Sequence, residues 1–117
     1  MRLIAMILTF VSLAAGGAIA DPVGSYNVEG TNPGSGSSYR GTVAVEKTGQ
    51  TFSVTWEIGG SRYVGTGIGD NNFLAVGYRS GNTTGLALYG NDGKGIWVGI
   101  WAYGGGREVG NERWTPR

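Results

Sequence analysis

The sequence predicts an all-β fold in which eight antiparallel strands form an up-and-down meander that closes into a small barrel. Three observations predict it. Short segments rich in Val, Ile, Thr, Tyr, Phe and Trp recur about every ten residues, Gly, Asn and Asp cluster between them, and no segment after residue 20 has helical periodicity. Short turns favour a meander, and closure removes the exposed edges of a sheet. A two-sheet β-sandwich is the alternative for the same strands.

The strands are bounded by turn residues throughout the chain. The first is followed by the polar loop "TNPGSGS", and the later connections include the short turns "SGNT", "NDG" and "GGG". The second and third, "YRGTVAVEK" and "FSVTWEI", alternate apolar and polar residues, whereas the fourth, "RYVGTGIG", places glycine at every second position. The eight predicted strands are Ser25–Gly30, Ser38–Lys47, Gln50–Ile58, Ser61–Gly69, Asn72–Arg79, Thr84–Gly90, Lys94–Ala102 and Glu108–Thr115.

Two-residue turns predict how the second to fifth strands pair. Turns at Thr48-Gly49, Gly59-Gly60 and Asp70-Asn71 place Val43 opposite Val54, Val54 opposite Gly65, and Gly65 opposite Val76. We expect the glycines to leave room for large side chains across a narrow interior. The predicted inward face comprises Tyr39, Gly41, Val43, Val45, Phe52, Val54, Trp56, Ile58, Tyr63, Gly65, Gly67, Leu74, Val76 and Tyr78.

The first twenty residues are typical of a cleaved secretory signal. Arg2 precedes an apolar run, Leu3 to Ala15, and Ala18-Ile19-Ala20 places small residues at the −3 and −1 positions of a cleavage site. We therefore expect residues 1–20 to be a signal peptide and residues 21–117 to form one domain, secreted or periplasmic, with no membrane span after cleavage. An uncleaved N-terminal anchor is the alternative.

Composition narrows the possible functions. The chain has nine Lys/Arg and eight Asp/Glu, and without Arg2 the two signs balance, so nothing indicates nucleic acid as a partner. The chain contains no histidine and no cysteine, which excludes a Ser-His-Asp triad, a cysteine nucleophile and the usual zinc ligands. We expect no cofactor, no metal site and no catalytic residues.

Four aromatic residues fall on neighbouring predicted strands at one end of the inward face: Tyr39, Trp56, Tyr63 and Tyr78. One interpretation is an aromatic-lined pocket at the barrel mouth for a small apolar or sugar-like ligand. The other is that these side chains simply close that end of the core.

The seventh strand, within "IWVGIWAY", is apolar on both faces. Trp97, Trp101 and Tyr103 share one face, and the alternate residues share the other. One set must belong to the core, so the other is an exposed interaction or oligomer surface, or is covered by a loop. We take Trp97, Trp101 and Tyr103 as the candidate protein-interaction residues.

No pair of carboxylates can be placed across one cleft, as a glycosidase requires. Glu46 and Glu57 are predicted on the outer face, while Asp70 and Asp92 fall in turns, where aspartate usually caps backbone N–H groups. We therefore expect a protein that is not an enzyme, with a carbohydrate-active enzyme as the third possibility.

The sequence resembles two known groups of proteins. "GSY" at residues 24–26 with Arg113-Trp114 is similar to lipocalin- and avidin-like (calycin) barrels, in which an early aromatic packs under a late basic residue. "YNVEGTNPG", "YRGTVAVEKTGQTFSVTWEIGG", "YVGTGIG" and "LAVGYRSGNTTGLALYG" resemble small secreted proteobacterial proteins commonly labelled fibronectin-binding protein. That resemblance implies an adhesin-like or inhibitor-like module that binds an extracellular-matrix protein such as fibronectin. The alternative is a periplasmic carrier of a small ligand.

Overall fold

A closed barrel of eight antiparallel strands forms the domain in the computed structural model, which describes residues 21–117. Each strand pairs with the next along the chain, and β1 pairs with β8 to complete the cylinder. The predicted meander barrel is therefore confirmed and the sandwich alternative is wrong. The strands are β1 (Gly24–Thr31), β2 (Ser38–Thr48), β3 (Thr51–Ile58), β4 (Ser61–Gly69), β5 (Phe73–Ser80), β6 (Thr83–Asn91), β7 (Trp97–Tyr103) and β8 (Gly110–Pro116).

The segment predicted as a signal peptide, residues 1–20, lies outside the described residues. Within the described part of the chain, no helix is long and apolar enough to span a membrane.

The registers confirm one predicted turn and shift the other two. Val54 lies opposite Gly65 as predicted, but Val43 lies opposite Trp56 and Gly65 lies opposite Tyr78. Both shifts are of two residues, because the turns are centred one residue further along the chain than predicted. Side chains on a strand alternate with a period of two, so this shift leaves each one on its predicted face.

Glycine is required at the turn that kept its register. Gly59 and Gly60 have φ values of 59° and 83°, in the left-handed region that side-chain-bearing residues rarely adopt. Two consecutive residues with positive φ are typical of a type I′ turn, whose twist matches that of the flanking strands. The turn therefore joins β3 to β4 without forcing the two strands apart.

The inward face forms one continuous core. Every large side chain predicted to point inward is buried or packs against the buried set. The early aromatic Tyr26 packs on Trp114, with ring centroids 5.4 Å apart, while Arg113 is exposed, so the contact observed here is between two aromatic rings. The buried apolar residues are Tyr26, Val28, Val43, Val45, Phe52, Val54, Trp56, Leu74, Val76, Ala87, Tyr89, Trp97 and Trp114.

Candidate ligand-binding cavity

A cavity of about 190 Å³ lies inside the barrel, at the end where the β3–β4 hairpin turns. Strands β2 to β8 all contribute side chains to it, and Asn32 follows directly after β1. Seven of its residues are tyrosine or tryptophan, so its walls are mainly aromatic. The lining residues are Asn32, Tyr39, Trp56, Ile58, Tyr63, Tyr78, Ala87, Tyr89, Trp101, Tyr103 and Glu112.

One carboxylate, that of Glu112 on β8, lies buried among these rings. It is 6% exposed and is the only charged side chain in the core among the described residues. Oε1 accepts hydrogen bonds from the indole N–H groups of Trp56 (3.1 Å) and Trp114 (2.8 Å) and from the Tyr89 hydroxyl (2.7 Å). Oε2 accepts one from the Tyr39 hydroxyl (2.6 Å). Four donors thus converge on one buried acid. An ionised carboxylate has only acceptor atoms, so it can accept a hydrogen bond from each of them.

Glycines on both sides of Glu112 make this convergence possible. Gly30 on β1 and Gly99 on β7 are its partners across the two neighbouring strands, and beyond them lie Tyr39 and Tyr89. A Cβ at Gly30 would overlap the Tyr39 hydroxyl, and one at Gly99 would overlap the Tyr89 ring. Each tyrosine side chain therefore passes over a glycine, which has no side chain, and the two hydroxyls contact the carboxylate from opposite sides.

Two further aromatic side chains also occupy space that a glycine leaves open. The Tyr78 hydroxyl lies where a Cβ at Gly85 would be, and the Trp101 indole nitrogen lies against the position of a Cβ at Gly110. Neither the Tyr78 hydroxyl nor the Trp101 N–H has a hydrogen-bond partner among the described residues. Two polar groups of the cavity wall are therefore unpaired within the part of the chain that the structure describes.

Burial and the acid together change the ionisation of the tyrosines. Burial, and secondly the negative charge of Glu112, raise the pKa of Tyr39 and of Tyr89 far above the ordinary value of 10.0. Burial also raises the pKa of Tyr78, with smaller contributions from Tyr103 and Glu112. These hydroxyls stay protonated at neutral pH and remain available as donors.

The aromatic walls meet at steep angles. Trp101 stands at 75° to Tyr39, at 63° to Tyr78 and at 79° to Tyr103, and Tyr63 stands at 80° to Tyr78. Their ring centroids lie between 5.1 and 6.3 Å apart, the spacing of edge-to-face pairs. The result is a box of inclined rings with Tyr103, 43% exposed, at its rim.

The structure brings together all four residues predicted to bind a ligand. Tyr39, Trp56, Tyr63 and Tyr78 line the cavity, and three of them remain partly exposed there. That they bind a ligand stays a prediction. Sequence reasoning missed Glu112, and one signal was available: it lies two residues before Trp114, so it shares an inward face with that tryptophan.

The predicted protein-interaction residues do not form an outer strip, and this prediction is corrected. Trp97 is 1% exposed in the core, while Trp101 and Tyr103 line the cavity. The exposed face of β7 is the alternate set, with Val98 45% and Ile100 49% exposed. Trp101 and Tyr103 lie opposite Gly110 and Gly85, which leave space for their rings inside the barrel, whereas the smaller aliphatic residues remain outside.

The outward aliphatic residues form a patch, here called the outer apolar patch. Ile68, Ala75, Leu88 and Ile100 are direct neighbours across four strands, β4 to β7. The six large exposed members of the patch are Ile68, Phe73, Leu86, Leu88, Val98 and Ile100. An exposed apolar surface of this kind is typical of an interaction site.

Three further acidic residues have local roles. Asp70 accepts backbone N–H groups in the β4–β5 turn, and Asp92 does so in the β6–β7 turn, as predicted for turn aspartates. Glu57 is exposed and pairs with Arg62 on the outer surface. Within residues 21–117, no three acidic side chains come together as a metal site would require.

No protein-family model matches this chain. No curated protein matches it either. Among solved structures the chain is similar to a redesigned β-barrel, mFAP1, bound to DFHBI, with a TM-score of 0.64 and 13% sequence identity. The match covers 80% of this chain and 94% of that one. At this identity the likeness shows the fold alone, a small β-barrel.

Proposed function

We propose that this protein binds a small molecule in the aromatic cavity and acts as a secreted or periplasmic binding protein rather than an enzyme. The observation that carries the proposal is the cavity of about 190 Å³ built around the buried Glu112 carboxylate. Ligand sites are typically concave, mainly apolar and supplied with a few polar groups that fix orientation. An engineered apolar cavity of about 150 Å³ binds benzene, so this one suits a ligand of roughly six to ten non-hydrogen atoms.

The free-energy cost of burying polar groups at this site supports a ligand-binding function. A core built only for stability would contain no acid, because an ionised group is costly to bury even when it accepts hydrogen bonds. Here Glu112 and two unpaired polar groups, on Tyr78 and Trp101, accompany a space that no side chain fills. Local rules of packing are most often broken at functional sites.

A panel of small ring compounds tests the proposal. Benzyl alcohol, indole, toluene and glucose would be titrated against the ¹⁵N-labelled protein, and a ligand of the cavity should shift the indole N–H resonances of Trp56 and Trp101. Ala87→Leu should abolish the shifts, because Ala87 lines the cavity and a larger side chain there occupies the space. Ala44→Leu, the same substitution on the outer face of β2, is the matched control. The proposal fails if neither these compounds nor small organic cations shift the resonances, or if Ala87→Leu leaves the shifts unchanged.

A second candidate function rests on the outer apolar patch. Six large aliphatic or aromatic side chains exposed across β4 to β7 favour a protein partner, and fibronectin is the partner that the family resemblance implies. We propose that Leu88, at the centre of this patch, contacts that partner. Surface plasmon resonance with immobilised fibronectin tests it: Leu88→Lys should abolish binding, whereas Ser25→Lys on the far side of the barrel should not. Absence of binding by the wild-type protein contradicts this candidate.

A further inference from the structure

We infer that the ligand of the aromatic cavity is a small organic cation whose ammonium group meets the inclined rings and the Glu112 carboxylate. The inference rests on the proposed ligand-binding function and specifies its ligand class. Aromatic rings alone do not select one class of ligand, since apolar, sugar-like and cationic molecules all bind to them. The Glu112 carboxylate favours the cationic class.

The charge of Glu112 favours a cationic ligand. Glu112 is buried, and every Lys and Arg side chain in residues 21–117 is exposed, so the described part of the chain provides this carboxylate with no counter-ion. The ion pairs Arg40–Glu29 and Arg62–Glu57 lie on the outer surface. A buried charge is normally paired, and its attraction for an opposite charge is strong because the surroundings screen it weakly. A cationic ligand would supply the missing charge, whereas an anionic one would be repelled.

One oxygen of Glu112 can accept a further hydrogen bond. Oε1 of Glu112 already accepts three donors, but Oε2 accepts only the Tyr39 hydroxyl. Each carboxylate oxygen offers about two lone-pair sites, so Oε2 can accept one further donor. Tyr39 itself lines the cavity, which places this oxygen beside the space a ligand would enter.

The arrangement of the aromatic rings also suits a cation. Cations are attracted to the faces of tryptophan and tyrosine rings, and quaternary ammonium groups are held in cages of such rings. The neighbouring rings of this cavity meet at angles of 63° to 80°, as the sides of a cage do. Tyr103 at the rim is the wall residue most open to solvent, with 43% of its surface exposed. The Glu112 carboxylate and the rings around it therefore both favour an organic cation.

The experiment compares cations with uncharged molecules of matched shape. Choline is paired with dimethylbutanol, in which a carbon atom replaces the nitrogen, and benzylamine is paired with benzyl alcohol. Isothermal titration at neutral pH should give the cation of at least one pair a dissociation constant at least about tenfold lower than that of its neutral partner. Glu112→Gln should abolish this preference, because the amide carries no charge.

A second variant covers the case in which Glu112→Gln does not fold. Tyr103→Leu at the exposed rim should weaken binding of the preferred cation more than binding of its neutral partner, since leucine keeps apolar contact but has no ring. If neutral molecules bind as tightly as the cations in the wild-type protein, the cation inference is wrong and the cavity still binds ligands. If nothing binds, in these pairs or in the ring-compound panel, the proposed function fails as well.

Discussion

Replacing Glu112 by leucine should strongly destabilise the barrel, although the substitution removes a charge from the core. Trp56, Tyr89 and Trp114 each donate to Oε1 and are at most 3% exposed, so removal of the carboxylate leaves three buried donors without their acceptor. A buried donor without a partner costs about 1–3 kcal/mol, and three cost roughly 3–9 kcal/mol. The carboxylate's own desolvation cost disappears and offsets part of this loss. We expect a net decrease in the free energy of unfolding of at least about 3 kcal/mol.

The loss would be measured by urea unfolding followed by tryptophan fluorescence and circular dichroism. A domain of this size has a stability of roughly 5–15 kcal/mol, and a loss of about 3 kcal/mol lowers Tm by roughly 12–24 °C. Glu112→Gln should cost much less, because the amide oxygen can accept the same three donors while the amide nitrogen donates to the Tyr39 hydroxyl. Glu46→Leu, at an exposed position on β2, is the control and should leave the unfolding curve almost unchanged.

Equal stability of the wild-type and Glu112→Leu proteins would refute this reasoning. It would mean that the four donors find other partners once the carboxylate is gone, or that its burial costs as much as the hydrogen bonds contribute. Destabilisation of similar size in Glu112→Gln and Glu112→Leu would also contradict it, because the hydrogen-bond acceptor would then be irrelevant and the charge alone decisive.

The glycines, the buried tyrosines and the outer apolar patch each give a further prediction. Gly99→Ala should cost about 1–3 kcal/mol in thermal unfolding, because its Cβ would overlap both the Leu88 carbonyl oxygen and the Tyr89 ring. Gly77→Ala should be tolerated, because no atom lies within 4 Å of the added Cβ, and equal effects of the two substitutions would contradict this close packing around Gly99. Spectrophotometric titration should show Tyr39 and Tyr89 resisting ionisation above pH 10 in the folded protein. The unfolded chain then releases protons that the folded protein retains, so stability should fall as pH rises beyond 10, and a pH-independent unfolding free energy would refute this. Leu88→Lys should reduce concentration-dependent self-association in sedimentation velocity, and a wild-type protein that is monomeric at all concentrations would show that the outer apolar patch does not pair with itself.

The sequence predicted the inward face well because alternation along a strand is a local property. Val54 and Trp56 had to share a face whatever their partners were. The registers of Val43 and Gly65 were both displaced by two residues, and the alternation could not reveal this error because a shift of two leaves each side chain on its own face. Only the Gly59-Gly60 turn, where two consecutive glycines take positive φ, was placed correctly.

Only part of the site could be predicted, because sequence patterns report relations along a strand and between neighbouring strands. Four of its aromatic residues lie on consecutive strands, so local pairing was enough to bring Tyr39, Trp56, Tyr63 and Tyr78 to one end. The side of β7 that faces inward could not be decided locally, because both faces of that strand are apolar. The rings of Trp97 and Trp101 were consequently assigned to the outer surface, whereas they lie inside.

By itself, the sequence determined eight strands, their alternation and one glycine-rich turn, all of which depend on neighbouring residues. Only the tertiary structure decided what lies at the centre of the cavity. Glu112 is near Tyr39 because β8 closes against β1, a pairing between opposite ends of the domain that no local pattern encodes. On a strand of a meander, a glutamate between polar neighbours is ordinarily expected to face solvent. It is buried here because Gly30 and Gly99, far apart in the chain, leave the space through which two tyrosines reach it.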